Sequence, residues 1–354
     1  MKVFITGNLG YIGAYLTQHL KATRPNVYIA GYDLGYFQHR ITSNNPSPER
    51  AVDVQFYGDV RDFDGALLNG YDAVVHLAAI SNDPIGKKFE EVTYQVNHLS
   101  SVDIAKKARL AGVKNFVFAS SCSVYGAAGD DARREDSDLN PLTAYAISKV
   151  RTEQDLATID AGDMNITCLR FATACGISDR LRLDLVVNDF VASAMVNKKI
   201  EILSDGTPLR PLINIKDMSR AIDWAIARLK ENGGQYLVCN TGSNEWNYMV
   251  KDLAYAVQAQ FDNVDVSINE SAAPDKRSYK VNFDLFTKLA EGYTPTYNLE
   301  QTVTQLKKGL EDIGFNQPDF RSSEFMRLNV LNKHLNNGDL DSQLRWKLRE
   351  ENKI

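Results

Sequence analysis

Lys2-Val3-Phe4-Ile5-Thr6-Gly7-Asn8-Leu9-Gly10-Tyr11-Ile12-Gly13 is the stretch whose reading settles the fold. Residues 2–6 are a short apolar run that reads as a buried strand, and glycines three apart carry it into an amphipathic helix ending near Ala22. That spacing lets the chain turn tightly and lets the helix start lie against a ligand. The free N–H groups and the helix dipole there favour an anion such as a pyrophosphate. A turn made for packing alone would look the same, so the following residues decide. A second strand, residues 27–32, ends in Asp33, about 20 residues past the glycines, where a carboxylate suits the two free ribose hydroxyls of NAD. It would repel the 2′-phosphate of NADP, and no arginine follows immediately to relieve the repulsion.

Working outward, strands and helices keep alternating. Residues 35–48 are a polar loop, followed by a strand at 54–57, then Gly58-Asp59-Val60 and a short helix. Asp59 stands at a strand end, where it either meets an adenine amino group or caps the next helix. A fourth strand, 73–79, ends in Leu77-Ala78-Ala79, small residues where backbone must approach a ligand closely. His76 lies inside that apolar run and reads as a satisfied core histidine. A long helix, 90–111, carries Asn97, whose plainer role is to close a helix-to-strand contact. The spacing predicts an α/β protein with a Rossmann-type doubly wound parallel sheet.

Chemistry concentrates in Phe118-Ala119-Ser120-Ser121-Cys122-Ser123-Val124-Tyr125-Gly126 and in Tyr145-Ala146-Ile147-Ser148-Lys149. The first is a strand running into small hydroxyl residues. The second stacks a phenol and an ammonium on one helix face. A tyrosine with its ordinary pKa of about 10 is a poor base near neutrality. A lysine close by is expected to favour the phenolate. With Ser121 hydrogen-bonding the same oxygen, the three make a proton-transfer site for a secondary alcohol or ketone.

Composition bounds the alternatives. With 354 residues, 44% hydrophobic and 24% charged, the chain has room for about two domains of ordinary globular type. A net charge of -5 without a long basic run gives nucleic acid no sequence-independent grip. No apolar run approaches membrane-spanning length and Met1 leads straight into a strand, so no membrane partner and a cytoplasmic location are expected. The four cysteines lack paired spacing and read as buried free thiols. The five histidines have no ligand spacing, so no metal is expected.

The ordered set Gly7-x-x-Gly10-x-x-Gly13, Asp33, Gly58-Asp59-Val60, His76-Leu77-Ala78-Ala79, Ser121 and Tyr145-x-x-x-Lys149 resembles the extended short-chain dehydrogenase/reductases. Within them the chain is most similar to the nucleotide-sugar epimerase/dehydratase group. The resemblance continues through Arg170-Phe171, 210–217 and Asp275-Lys276-Arg277-Ser278-Tyr279, covering roughly residues 1–315. It implies NAD held by residues 7–13 (Gly7, Asn8, Leu9, Gly10, Tyr11, Ile12, Gly13), Asp33, Asp59, Val60, Leu77, Ala78, Ala79 and Asn97, together with Tyr145 and Lys149. It implies a nucleotide-diphosphate sugar met by Ser81, Ser121, Cys122, Ser123, Tyr145, Thr173, Arg210 and Arg277, the two arginines on the diphosphate. The NAD domain is expected over 1–180 with returning segments at about 207–245. A smaller mixed α/β substrate lobe is expected over 181–206 and 246–320, and a helical tail of two amphipathic helices over 321–354. The resemblance also implies a homodimer through helices 90–111 and the Tyr145 helix, with Ser100, Ser101, Ile104 and Ala108 as a compatible face; packing within the subunit is the alternative.

In the resemblance, Tyr145 takes a proton from a sugar hydroxyl as hydride passes to NAD, Lys149 holds the nicotinamide ribose, and Ser121 steadies the oxyanion. The 4,6-dehydratases of the group carry an Asp-Glu pair directly after the serine or threonine. Here Cys122 and Ser123 stand there, and neither replaces a carboxylate at neutral pH. The 3,5-epimerases place a cysteine where this chain has Ser123, so Cys122 is one residue early and reads as core. Redox at C4 remains: 4-epimerisation through a transient 4-keto sugar, or one-way 4-dehydrogenation or 4-ketoreduction. A non-catalytic NAD-binding protein is disfavoured by the intact Ser121, Tyr145 and Lys149. Residues 172–184 depart from the Asn-x-x-Gly-Pro pattern of the epimerases where the sugar should sit.

Overall fold

The apolar runs of the sequence become a parallel sheet covered on both faces. The computed structural model describes residues 1–81, 83–129, 131–272 and 277–347. In chain order its strands are β1 (Lys2–Thr6), β2 (Tyr28–Asp33), β3 (Val54–Tyr57), β4 (Ala73–His76), β5 (Asn115–Ser121), β6 (Asn165–Phe171), β7 (Thr173–Cys175), β8 (Lys199–Ile202), β9 (Leu209–Asn214), β10 (Tyr236–Thr241), β11 (Asn247–Met249) and β12 (Asp265–Ile268). Seven of them form the main sheet in the order β10-β6-β5-β4-β1-β2-β3, all pairs parallel. This is the expected Rossmann-type doubly wound sheet. The order reverses between β1 and β4, which opens a crevice at the carboxyl ends of the strands. Strands β11-β9-β7 make a three-stranded sheet and β12-β8 a parallel pair.

Alternation along β1 shows why the centre of the sheet reads as unbroken hydrophobicity. Val3 and Ile5 join Leu16 and Leu20 of the helix Tyr11–Thr23 on one face, while Phe4 joins Val74, Phe116 and Ile104 on the other. All eight are completely buried, each contributing about 1.5–3 kcal/mol. His76 belongs to this interior: its ring meets Thr6 Oγ1 at 2.7 Å and Ser101 Oγ at 2.8 Å, and burial pushes its pKa down to about 3.

Four expectations change. Residues 90–110 are helical throughout, but a π segment, Gln95–Leu99, separates the α-helices Glu90–Tyr94 and Ser100–Leu110. Asn97 lies in that segment, fully buried; it accepts from Ile80 N (2.8 Å) and donates to Ile80 O (2.9 Å) and Ser148 Oγ (3.2 Å). With its amide used inside the protein, Asn97 ties the helix to the end of β4 and is no cofactor contact. Ser100, Ser101, Ile104 and Ala108 are likewise buried within the subunit and cannot be a dimer face; Leu99 and Leu110 are the exposed residues there. The described tail holds one helix, Arg327–Asn336, not two. Beyond it Gly338 and Leu344 have positive φ, and a Leu340–Trp346 bridge closes a turn. Asp275 and Lys276 of the resemblance, and the tail beyond 347, lie outside the described residues. Among the described residues no helix is long and apolar enough to cross a membrane.

Gly13 marks where the first helix is pressed onto the turn: a Cβ there would lie 2.5 Å from Asn8 Cα and 2.6 Å from Gly7 O, both immovable backbone. Gly13→Ala is expected to destabilise the fold by about 1–3 kcal/mol and to deprive the purified protein of nicotinamide cofactor, read by thermal denaturation and by cofactor content.

Candidate active site

The crevice is a cavity of about 1110 Å³ that runs from Asp33, Tyr36 and Phe37 past Tyr145 to Arg210 and Arg277. At its first end β1 gives way to Gly7, whose φ of +76° and close approach to Ala78 N (2.6 Å from a Cβ) exclude a side chain. Gly10, Ile12 and Gly13 line the cavity together with Tyr11, whose phenol turns away to donate to Gly176 O at 2.6 Å. No side chain caps the helix that starts here, and its first turn carries no acidic residue. Asn8 and Leu9 do not line the cavity. Asn8 is buried against Gln55 (2.6 Å), and Leu9 contributes a backbone N–H to Asp33 Oδ2 at 3.1 Å. Gly35 N donates to the other Asp33 oxygen at 2.8 Å. Burial pushes the Asp33 pKa up and these two donors oppose it. Asp59 took its helix-cap alternative: it accepts from Arg61 N (2.9 Å), and the Arg61 guanidinium closes on its carboxylate. Asp59, Val60, Leu77, Ala78 and Ala79 line the cavity.

The reactive groups meet in its middle. Ser121, the last residue of β5, caps a 3-10 turn by accepting from Ser123 N at 3.2 Å, which fixes its hydroxyl at the strand end. That hydroxyl shares the cavity wall with the Tyr145 phenol, which it holds down in pKa. Tyr145 and Lys149 lie on the helix Ala144–Thr158, which Thr143 caps through Ala146 N. The Lys149 ammonium donates to Ala119 O at 2.7 Å and sits 5.6 Å from the centre of the Tyr145 ring. Here the expected electrostatics are corrected. Burial dominates and pushes Tyr145 up to about 12, the Ser121 hydrogen bond opposing it, and pushes Lys149 down to about 7. Both charged forms are penalised because both groups are dehydrated, and the cation that lowers Tyr145 is Arg182.

The far end of the cavity, where the resemblance would place the sugar, holds Ser81, Ser123, Thr173, Arg210 and Arg277 in its wall. Cys122 is not there: it is buried, its thiol donates to Arg170 O at 3.1 Å, and burial raises its pKa far out of range. Its expected substrate contact is therefore corrected, since the turn that points Ser123 into the cavity points Cys122 into the core. Ser123 Oγ is buried without a hydrogen-bond partner, an orphan facing the site. Arg277 is paired with Asp83 at 2.6 Å, and Arg210 stacks on Tyr279 with its guanidinium 6.0 Å from the ring centre. Sequence reasoning missed Arg182, which donates to Ser81 Oγ at 3.0 Å and is held by Asp184 at 2.9 Å. Its signal was the alternation Arg180-Leu181-Arg182-Leu183 within the stretch that departs from the epimerase pattern.

A dinucleotide suits this lining: a turn that admits no side chain, an uncapped helix start for phosphate, and a buried carboxylate at the end of β2. Fold and site together define a doubly wound nicotinamide-dependent enzyme with Ser121, Tyr145 and Lys149 gathered in its cavity. Residues 3–239 match the family model described as the NAD dependent epimerase/dehydratase family, and the chain belongs to that family, with NAD as its cofactor. A UDP-glucose 4-epimerase of Lactobacillus helveticus is 29% identical over 252 residues, 65% of this chain and 72% of the relative. Among solved structures, a UDP-glucose-4-epimerase from Stenotrophomonas maltophila with bound NAD and formylated UDP-arabinopyranose has a TM-score of 0.74 at 22% identity, covering 89% of this chain and 99% of its own. An NAD-dependent NDP-hexosamine 5,6-dehydratase of tunicamycin biosynthesis reaches 0.75 at 22% identity, covering 90% and 99%. At that identity the two structures share the fold.

Lys149 gives this site a pH signature. Its pKa is lower in the folded protein than in the unfolded chain, so the cost of burying the ammonium is fully present below about pH 7 and fades as pH rises toward the ordinary lysine value near 10.4. Lys149→Met is therefore expected to melt higher than wild type at pH 6, with the difference shrinking by pH 9, in paired thermal denaturation.

Proposed function

We propose that this enzyme carries out redox at C4 of a nucleotide-diphosphate sugar, with 4-epimerisation as the net result. The observation that carries the reading is the meeting of Ser121, at the end of β5, with Tyr145 on one cavity wall, with Lys149 one turn along the helix and no carboxylate directly after Ser121. Bound NAD supplies a hydride acceptor that can return what it takes. Everything else falls to the chain. Tyr145 moves the proton of the C4 hydroxyl, and Ser121 steadies the oxygen as its charge changes. With a pKa near 12 the phenol is almost wholly protonated at neutral pH, so proton transfer depends on nearby positive charge, which Arg182 supplies. Lys149 is assigned to the nicotinamide ribose. Arg210 and Arg277 are assigned to the sugar diphosphate, and the lobe of 181–206 and 246–320 to the nucleotide sugar as a whole.

Elimination of water needs a second acid and base in an available state. Cys122 is turned into the core. The carboxylates Asp83, Asp184 and Asp189 of the cavity wall are ion-paired with Arg277, Arg182 and Arg321. Among the curated relatives, UDP-glucose 4-epimerases recur, at 29% and 25% identity in Lactobacillus helveticus and Corynebacterium glutamicum. That supports a 4-epimerase reading and a uridine nucleotide as the first to try. Homodimerisation is proposed on the outer side of the helix Ser100–Leu110, next to the exposed Leu99 and Leu110.

The test incubates the purified holoenzyme with UDP-, GDP-, dTDP- and CDP-sugars while NADH absorbance and products by NMR are followed. A new 4-epimer without net NADH is expected; stoichiometric NADH or a released keto sugar would replace epimerisation by one-way redox. Tyr145→Phe is expected to lower turnover by about 10²–10⁴-fold while NAD content stays at the wild-type level.

A further inference from the structure

Arg327 opens the helix Arg327–Asn336, beyond the residues 3–239 that match the family model, yet it lines the same cavity as Gly10, Asp33 and Phe37. It is 4% exposed. Its guanidinium stacks on Phe37, 4.0 Å from the ring centre, and donates to Arg180 O at 3.1 Å. Among the described residues no carboxylate comes within ion-pair distance of it. Asp33 and Asp184 are within electrostatic reach, but Asp33 is occupied by the N–H groups of Leu9 and Gly35, and Asp184 by Arg182. Burial, with its like-charged neighbours Arg182 and Arg180, pushes its pKa down to about 9. A buried guanidinium without an anion is costly, and one that faces a cavity is a place for an anion to bind. The same lining holds the uncapped start of the helix Tyr11–Thr23, so two positive elements share one wall, and the Asp33 carboxylate beside them is already taken by backbone N–H groups.

We infer that Arg327 is a ligand of the NAD diphosphate, delivered by the C-terminal segment, which makes that segment part of the cofactor site. The segment is built to hold it there. Leu331, Leu340 and Leu344 pack with Ile80, Ile85 and Val92 of the nucleotide-binding body. Trp346 Nε1 donates to Leu34 O at 2.7 Å, directly after Asp33, and Arg61 donates to Gln343 O at 2.7 Å. Tyr36 hydrogen-bonds Leu344 O, and Arg345 pairs with Asp62. Residues on both sides of the adenosine end are thereby clasped by residues 343–346.

The inference rests on the cofactor and not on the sugar reaction, so the sugar panel can fail without touching it. Cofactor-stripped wild type and Arg327→Met are titrated calorimetrically with NAD, 5′-ADP and adenosine. The expected result is a loss of about ten- to a hundredfold for NAD and ADP alike, with adenosine unchanged. Equal losses for all three would make Arg327 mere structural support, and no loss for any would remove it from the site. A 2′,5′-ADP that binds wild type more tightly than 5′-ADP and loses this advantage in the variant would move Arg327 to the ribose 2′ position. Any of these results overturns the assignment. A second measurement needs no variant: hydrogen exchange across residues 326–336 of the wild type is expected to slow with ADP and not with adenosine, and the absence of that difference also overturns it.

Discussion

A buried ion pair outside the cavity lining holds the reactive groups in place. Arg170 on β6 faces Glu153 with its Nε 3.1 Å from both carboxylate oxygens and a terminal nitrogen 2.7 Å from one of them, each side chain at most 5% exposed. Ser120 donates to the same carboxylate, and Arg170 donates on to Tyr125 at 2.9 Å. Glu153 stands four residues beyond Lys149, which stands four beyond Tyr145, so one helical stripe is clipped to the ends of β5 and β6. Such a pair adds little net stability because both charges give up water. What it contributes is register: a slip of the helix would leave either charge buried and alone, which sets where Tyr145 stands relative to Ser121.

The same dryness shapes the chemistry. Burial drives Tyr145 and Lys149 toward their neutral forms from opposite directions, so the free site stores neither a ready phenolate nor a full ammonium. Arg182 stays charged and is oriented by Asp184 and Ser81, which makes it the dependable cation near the phenol. Proton transfer in this arrangement is coupled to charge brought in or developed during the reaction. A tyrosine already ionised in the resting enzyme would have to pay for its own desolvation.

The C-terminal segment extends the logic of the crevice. The glycine turn and the first helix offer dipoles and N–H groups from one end of the chain, and residues 326–346 return from the other end to cover the loop after β2. Because the segment is anchored through apolar packing as well as through Arg345 and Trp346, cofactor retention and tail docking are linked in this protein.

What the sequence determined by itself was local. Glycines at 7, 10 and 13, a carboxylate at the end of the second strand, and a phenol and an ammonium four apart are backbone and helix-face constraints spanning a few residues, so they are legible without the rest of the chain. The parallel sheet follows from alternation that is equally local. Only the tertiary structure decided which way neighbouring side chains point and what comes from afar. Cys122 and Ser123 are adjacent, but a 3-10 turn capped by Ser121 sends one inward and leaves the other at the cavity. Asn97 and the Ser100–Ala108 face looked available and are consumed by packing. Arg182 enters the site from a stretch that departs from the family pattern, and Arg327 from a segment beyond the family match. Their positions are set by long-range burial and charge balance, which no window of sequence contains.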